Sequence, residues 1–342
     1  MQRILERGEI ESLDHITIPR LRLPPSDGVF KARAARLRKL AANEIAGTPV
    51  STELSGYLLL MADVVEAQDA VFASLTDADA ALPDQNMLEM ARQHAMPPLP
   101  LAGARPLAWH AIFARLLTSL APSAKSRPQL VPVLAALQAL DTASLDTFAD
   151  AVLNQRIEEV DPAHAPFIAA ALQILWTHRA SKLMLQDVPT LETAALCPVC
   201  GSHPVASVVR IGGQSQGYRY LHCELCASEW HMVRVKCSHC EKNANIAYQG
   251  LRSRDTEMDA EIDAKKVSAP LKANKANDAQ KVIRAETCDD CHTYRKIVNQ
   301  EHDYEVEPLA DDLASLMLDV LVTEAGYNRA SMNPLLWFSG PA

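Results

Sequence analysis

Every cysteine of the chain lies in one of four C-x-x-C pairs: Cys197/Cys200, Cys223/Cys226, Cys237/Cys240 and Cys288/Cys291. Two thiolates at this spacing can grip one ion, while the turn between them offers backbone N–H groups to the sulfurs. Two such pairs complete a tetrahedral sulfur shell around zinc or iron, so four pairs make two shells. A closed shell has no open position for water or substrate, and its default role is structural. Iron in the same shell is a rubredoxin-like centre able to pass one electron. The donor set accepts either metal. Sequential pairing gives one site from Cys197, Cys200, Cys223 and Cys226 and another from Cys237, Cys240, Cys288 and Cys291, with an interleaved arrangement as the alternative.

Other chemistry is sparse. The sequence holds no H-E-x-x-H, no G-x-S-x-G and no P-loop, and Gly212 to Gly217 lacks the G-x-G-x-x-G order. No catalytic and no cofactor-binding residue is assigned, and the chain does not read as an enzyme. His222, His231, His239 and His292 sit in or beside the pairs, but eight thiols already fill two shells. These histidines read as hydrogen-bonding or surface groups. Arg219, Arg234, Lys236, Arg284, Arg295 and Lys296 would offset the negative sulfur cores or form a docking surface for an acidic element. Tyr218, Tyr220, Trp230 and Tyr294 read as small apolar cores of the knuckles.

The elements that must hold these pairs follow from the spacing. Between Cys200 and Cys223, strands at 206–211 and 218–222 fit around the Gly212-Gly213 turn. Residues 229–236 are β-rich and return the chain to the second set. Segments 246–248 and 282–284 can pair as strands around a polar excursion, 252–281, that reads as a loop. Before the cysteines, apolar residues recur at helical spacing. Helices are expected from about residue 28, at 53–73, from Pro83-Asp84 with Met87, Met90 and Ala91 inward, at 107–120, 128–141 and 144–155, and from Asp161-Pro162 to about Met184. Trp109, Trp176, His110 and His178 read as packing or capping residues. A last helix, 308–325, should bury Leu309, Leu313, Leu316, Met317, Val320 and Leu321 and stop at Gly326. Asp311 and Asp312 suit its first turn. Leu335 to Phe338 form an apolar tail expected to dock on the protein itself.

The expected fold is therefore multidomain α+β. It comprises an irregular segment (1–28), an α-helical domain (29–188), two small metal-binding β modules (194–236 and 237–304, the second carrying the excursion), and a C-terminal helix and tail (305–342). Composition agrees: 48% of residues are hydrophobic but only 5% aromatic, with a net charge of -9. Residues 196–300 hold 15 Lys and Arg against 12 Asp and Glu, so the acidity lies elsewhere and no basic run supports nucleic-acid binding. No stretch is apolar enough to span a membrane, and Met1 to His15 lacks the apolar run of a secretory signal. The expectation is a cytoplasmic protein, whose thiols stay reduced and free for metal. The apolar helical domain leaves room for a homodimer.

The runs CPVCGSHPVASVV, GYRYLHCELCASEWHMVRVKCSHC and KVIRAETCDDCHTYRK resemble the FdhE-type formate dehydrogenase accessory proteins. The likeness extends to IPRLRLPP, FKARAARLRKLA, VEPLADDLASLMLDVLVTEAGYNR and NPLL, nearly the whole chain. The resemblance implies a helical N-terminal domain followed by rubredoxin-like modules, with all eight cysteines as ligands of two mononuclear iron sites, zinc being the alternative. It also implies a cytoplasmic maturation factor, or chaperone, that binds the immature catalytic subunit of respiratory formate dehydrogenase. Two other readings compete: a rubredoxin-like electron carrier or redox sensor, and a zinc-ribbon nucleic-acid-binding protein.

Overall fold

Helices fill the first half of the chain because apolar residues recur at helical spacing and polar residues cap the ends. The computed structural model describes residues 18–45, 48, 50–103, 105–243, 245–251 and 281–336. Residues 1–17 of the expected irregular segment, 252–280 of the polar excursion, and Trp337 and Phe338 of the tail lie outside the described residues. α1 (Val29–Ala41) starts at Gly28, whose φ of 81° is a left-handed conformation that suits glycine. α2 (Thr52–Ala73) is capped by Ser51, whose side chain accepts from Leu54 N. A short α3 (Asp77–Ala80) leads to α4 (Gln85–Gln93), capped by Asp84. α5 (Ala108–Ala124), α6 (Leu130–Gln138) and α7 (Thr142–Leu153) follow near the expected positions.

α8 (Ala165–Ser181) is buried on nearly every side, as a helix at the centre of a core must be. It packs against α2, α5 and α7. It starts later than expected because Asp161 caps a preceding turn, accepting from Ala163 N at 2.8 Å. Trp109 and Trp176 are fully buried core residues, and Trp176 donates to the Leu99 carbonyl at 3.0 Å. In α4 the buried residue is Leu88, while Met87 and Met90 face outward.

The second half is one sheet. Its strands are β1 (Leu21–Arg22), β2 (Pro204–Val209), β3 (Arg219–Cys223), β4 (Glu229–His231), β5 (Ile246–Gln249), β6 (Ile283–Cys288), β7 (Thr293–Asn299) and β8 (Asn328–Arg329). The order is β1-β4-β3-β2-β7-β6-β5, with β8 beside β7. The expected hairpin appears as β2 and β3, antiparallel. β5 pairs antiparallel with β6, Ile246 opposite Cys288. The parallel pairing of β2 with β7 joins the two cysteine regions into one sheet. β4 is shorter than expected: it ends at His231, and Val233 and Val235 are exposed.

The last helix is broken in two, α9 (Pro308–Ala314) and α10 (Leu316–Glu324). Ser315 Oγ donates to the Asp311 and Asp312 carbonyls, and Lys296 Nζ donates to the Asp312 and Ser315 carbonyls. The side chains thus occupy acceptors that a continuous helix would use. The break rotates α10, so Leu318 and Val322 are buried while Met317, Val320 and Leu321 are exposed. Gly326 has the expected positive φ, 94°.

Asp311 and Asp312 do more than suit a helix terminus. Asp311 pairs with Arg36 at 2.6 Å, Asp312 faces Lys296 and Arg329, and both acids are fully buried. Glu307 is the cap, accepting from Ala310 N, and it also pairs with Arg33 at 2.9 Å. The polar side of α1 is therefore buried against α9. Leu335 and Leu336 dock on the main core as expected of the tail. No helix among the described residues is long and apolar enough to cross a membrane.

Candidate metal centres

The four pairs share one local geometry. In each, the residue after the second cysteine has a positive φ: Gly201 at 81°, Ala227 at 56°, Glu241 at 61° and His292 at 51°. This left-handed residue bends the chain back so that nearby N–H groups meet carbonyls or sulfur. Gly201 N donates to the Cys197 carbonyl, and Glu241 N to the Cys237 carbonyl, at 2.8 and 3.1 Å. Leu225 N and Cys226 N both point at Cys223 Sγ from 3.4 Å, and His239 N points at Cys237 Sγ from 3.4 Å.

The structure brings the sequential sets together, one from Cys197, Cys200, Cys223 and Cys226, the other from Cys237, Cys240, Cys288 and Cys291. Within each set the four sulfurs lie within 4.8 Å of one another. Sulfur separations are 3.6 Å for Cys197–Cys226, 3.5 Å for Cys200–Cys223, 3.9 Å for Cys237–Cys291 and 3.8 Å for Cys240–Cys288. Disulfide sulfurs would sit at about 2.05 Å, and all eight cysteines are free. A tetrahedron with metal–sulfur bonds of about 2.3 Å has edges of about 3.8 Å, so both quartets fit a sulfur-bound ion. None of the four neighbouring histidines belongs to either cluster.

The thiols show why a cation suits these sites. In the first set, burial pushes Cys197, Cys200 and Cys223 above the ordinary thiol value. Burial acts the same way on Cys226, but hydrogen bonds from the other thiols and Ser228 outweigh it and hold this thiol low. One thiolate in a buried quartet keeps its neighbours protonated, and only a bound cation lets all four ionise. The second set divides likewise: burial pushes Cys288 up to about 12, while Cys291, beside Thr293 Oγ1 at 3.0 Å, is held low.

The first quartet is embedded in the main core with α8. Gln173 Nε2 donates to the Glu224 carbonyl at 2.7 Å, and Leu99 N to the Val199 carbonyl at 3.0 Å. Glu224 itself is buried between Ser202 and Gln155. The second quartet lies nearer the surface: Cys240 and Cys291 are part-exposed, and β6 and β7 pack on α10 through Ala285, Tyr294, Leu318 and Val322.

Arg219, Arg295 and Lys296 are not a docking surface, because all three are buried. Arg219 pairs with Glu286 at 2.8 Å. Arg295 reaches from Ser238 in the second set to the Pro204 carbonyl beside the first. Its bridging role had no local signal in the sequence, since it depends on the β2–β7 pairing. Tyr220, Trp230 and Tyr294 are buried as expected.

Comparison with known proteins agrees with this architecture. Family models match the FdhE N-terminal region at residues 18–192, the FdhE central domain at 196–234 and the FdhE C-terminal domain at 264–336. The chain is 37% identical to the FdhE homolog of Cronobacter sakazakii and 36% identical to FdhE of Escherichia coli, in each case over 98% of this chain and 97% of the relative. The crystal structure of FdhE from Pseudomonas aeruginosa superposes with a TM-score of 0.74 at 35% identity, covering 94% of this chain and all of that one. With the resemblance, the domain matches and the shared fold in agreement, this chain belongs to the FdhE family.

Proposed function

We propose that this protein is a cytoplasmic accessory factor that binds the immature catalytic subunit of respiratory formate dehydrogenase and promotes its activation. The observation that carries this reading is family membership over 98% of the chain, coupled to two closed sulfur quartets in one sheet. In this reading Cys197, Cys200, Cys223 and Cys226 hold one iron ion, and Cys237, Cys240, Cys288 and Cys291 hold another. Closed quartets offer no position for substrate, which favours assembly over catalysis. A strain lacking this protein should retain formate dehydrogenase polypeptide but lose its activity. The intact protein should capture the immature catalytic subunit in a pull-down. Full activity in the deletion strain would sink the proposal.

A second reading, electron transfer or redox sensing, is favoured by the part-exposed Cys240 and Cys291. It requires a reversible metal-centred couple. Voltammetry of anaerobically purified protein decides it, since a redox-silent centre, as zinc would give, removes it.

A further inference from the structure

A cavity of about 420 Å³ opens where α1, β3, β4 and the 300–308 loop meet. That size is within the range of about 300–1,000 Å³ typical of small-molecule sites. One wall is apolar, built from Leu23, Pro24, Val29 and Val306. The other end is polar and centred on Glu229. Arg22 Nε lies 3.2 Å from Glu229 Oε2, Arg210 pairs with both carboxylate oxygens, and His222 Nδ1 is 2.9 Å from Oε1.

Two guanidinium groups meet one carboxylate at this end, and Glu307, which also faces Arg210, is paired with Arg33. Burial alone would raise Glu229, but Arg210 and His222 outweigh it and hold the carboxyl far below its usual range. A carboxylate only accepts, so Nδ1 of His222 is the donor and Nε2 is the free ring atom. His222 lines the cavity, is only 5% exposed, and its buried Nε2 has no hydrogen-bond partner among the described residues. A buried polar atom left unmet is costly. The cations at the opposite end are satisfied internally, Lys39 by Glu305 and Arg36 by Asp311.

We propose that this cavity binds a small organic anion, its carboxylate or phosphate head at the guanidinium groups of Arg22 and Arg210, a ligand hydroxyl donating to the acceptor Nε2 of His222, and its apolar body on the Leu23–Val29 wall. Such a ligand would touch the helical domain and the strands of the first cysteine quartet at once. The site is independent of which metal the cysteines hold.

The test is calorimetric titration of the intact metal-replete chain with phenyl phosphate and phenylacetate, with phenol and benzylamine as uncharged and cationic controls. One anion should bind at one site per chain. The tighter of the two distinguishes a phosphate from a carboxylate head. Arg22→Ala removes a half-exposed side chain and should weaken binding by about tenfold. No saturable heat with either anion would overturn the proposal. So would equal binding of phenol or benzylamine, or undiminished binding by Arg22→Ala.

Discussion

The two sulfur quartets have the same donors, the same spacing and the same left-handed residue after each pair, yet they occupy opposite environments. The sulfurs of the inner quartet (Cys197, Cys200, Cys223, Cys226) are at most 1% exposed and sit in the main core. The outer quartet (Cys237, Cys240, Cys288, Cys291) has two part-exposed cysteines and only a small apolar cluster nearby. The donor set decides that a metal can bind. The surroundings decide whether it can leave or exchange electrons with a partner. In this fold, the inner site is buried at the joint between helices and sheet, and the outer site is open to solvent at two of its cysteines.

The sharpest way to break that contrast is to remove one ligand from each site. Cys223→Ser should cost on the order of 5 kcal/mol or more, because metal binding is folding free energy in such sites and the three remaining thiols are buried with α8. Loss of soluble protein and of the cooperative melt is the expected outcome. Cys291→Ser should fold, lose one metal per chain and keep the helical circular dichroism. Equal collapse of both variants would show that the two sites are energetically one unit, joined through Arg295 and the β2–β7 pairing. Chelation gives the kinetic version: the outer metal should leave first, in a separate fast phase.

The next effect concerns the acids beside each site, and the predicted signs are opposite. Burial pushes Glu224 up to about 7 despite hydrogen bonds from Ser202 and Gln155. Its folded value lies above the unfolded value of about 4.3, so the folded state binds the extra proton between them. Stability then falls as pH rises from about 4.3 toward 7 and stays low above. The shift corresponds to a deficit on the order of 3 kcal/mol. Glu224→Gln cannot ionise, so it should be more stable than the parent at pH 8 and nearly equal to it at the acid end of that window. At the outer site Glu286 is paired with Arg219, and Glu286→Gln should lose stability by leaving a buried guanidinium uncompensated. Denaturant melts across pH read both, and a loss at pH 8 for Glu224→Gln would sink the burial argument.

How much of this was legible in the sequence depended on distance along the chain. The quartets were, because each C-x-x-C pair is its own local device and the hairpin between Cys200 and Cys223 brings the first two pairs together. Helix starts at Gly28, Ser51 and Asp84 were close for the same reason: caps are local. The pairing of β2 with β7 was not, since Ser207 meets Ile297 across some 90 residues and either strand alone is compatible with other neighbours. The roles of Asp311 and Asp312 followed from that gap. An acid in the first turn of a helix suits the dipole in any sequence. Only the approach of Arg36 from α1, and of Lys296 and Arg329 from β7 and β8, makes these two into buried anchors. The break at Ser315 was hidden likewise, because the Lys296 ammonium that takes its carbonyl comes from a strand.

Gln173 tests how firmly the helices hold the inner site. Its Nε2 donates to the Glu224 carbonyl while its Oε1 accepts from Gln68. Gln173→Ala leaves the buried Glu224 carbonyl without this donor, while Gln68 Nε2 keeps the Ala170 carbonyl, and it should cost about 2 kcal/mol. The consequence that matters is local. Chelator-driven metal loss should quicken at the inner site and stay unchanged at the outer one. If both phases quicken together, the helices support the whole sheet rather than one quartet.

The smallest effect lies in the turns themselves. A non-glycine residue in the left-handed region carries a strain of about 1 kcal/mol, and glycine removes it. Gly201 already takes this position in the first pair, whereas Ala227 takes it in the second and His292 in the fourth. Ala227→Gly should therefore raise the global melting temperature slightly, because strain relieved at the inner site is strain relieved in the core. His292→Gly relieves the same backbone strain on an exposed turn, where the His292 ring lies tilted beside Tyr327. It should slow metal release from the outer site while leaving the global melt in place. The same chemical change would then read out as fold stability at one quartet and as metal retention at the other. A global gain from His292→Gly equal to that from Ala227→Gly would erase the distinction between the buried and the part-exposed site.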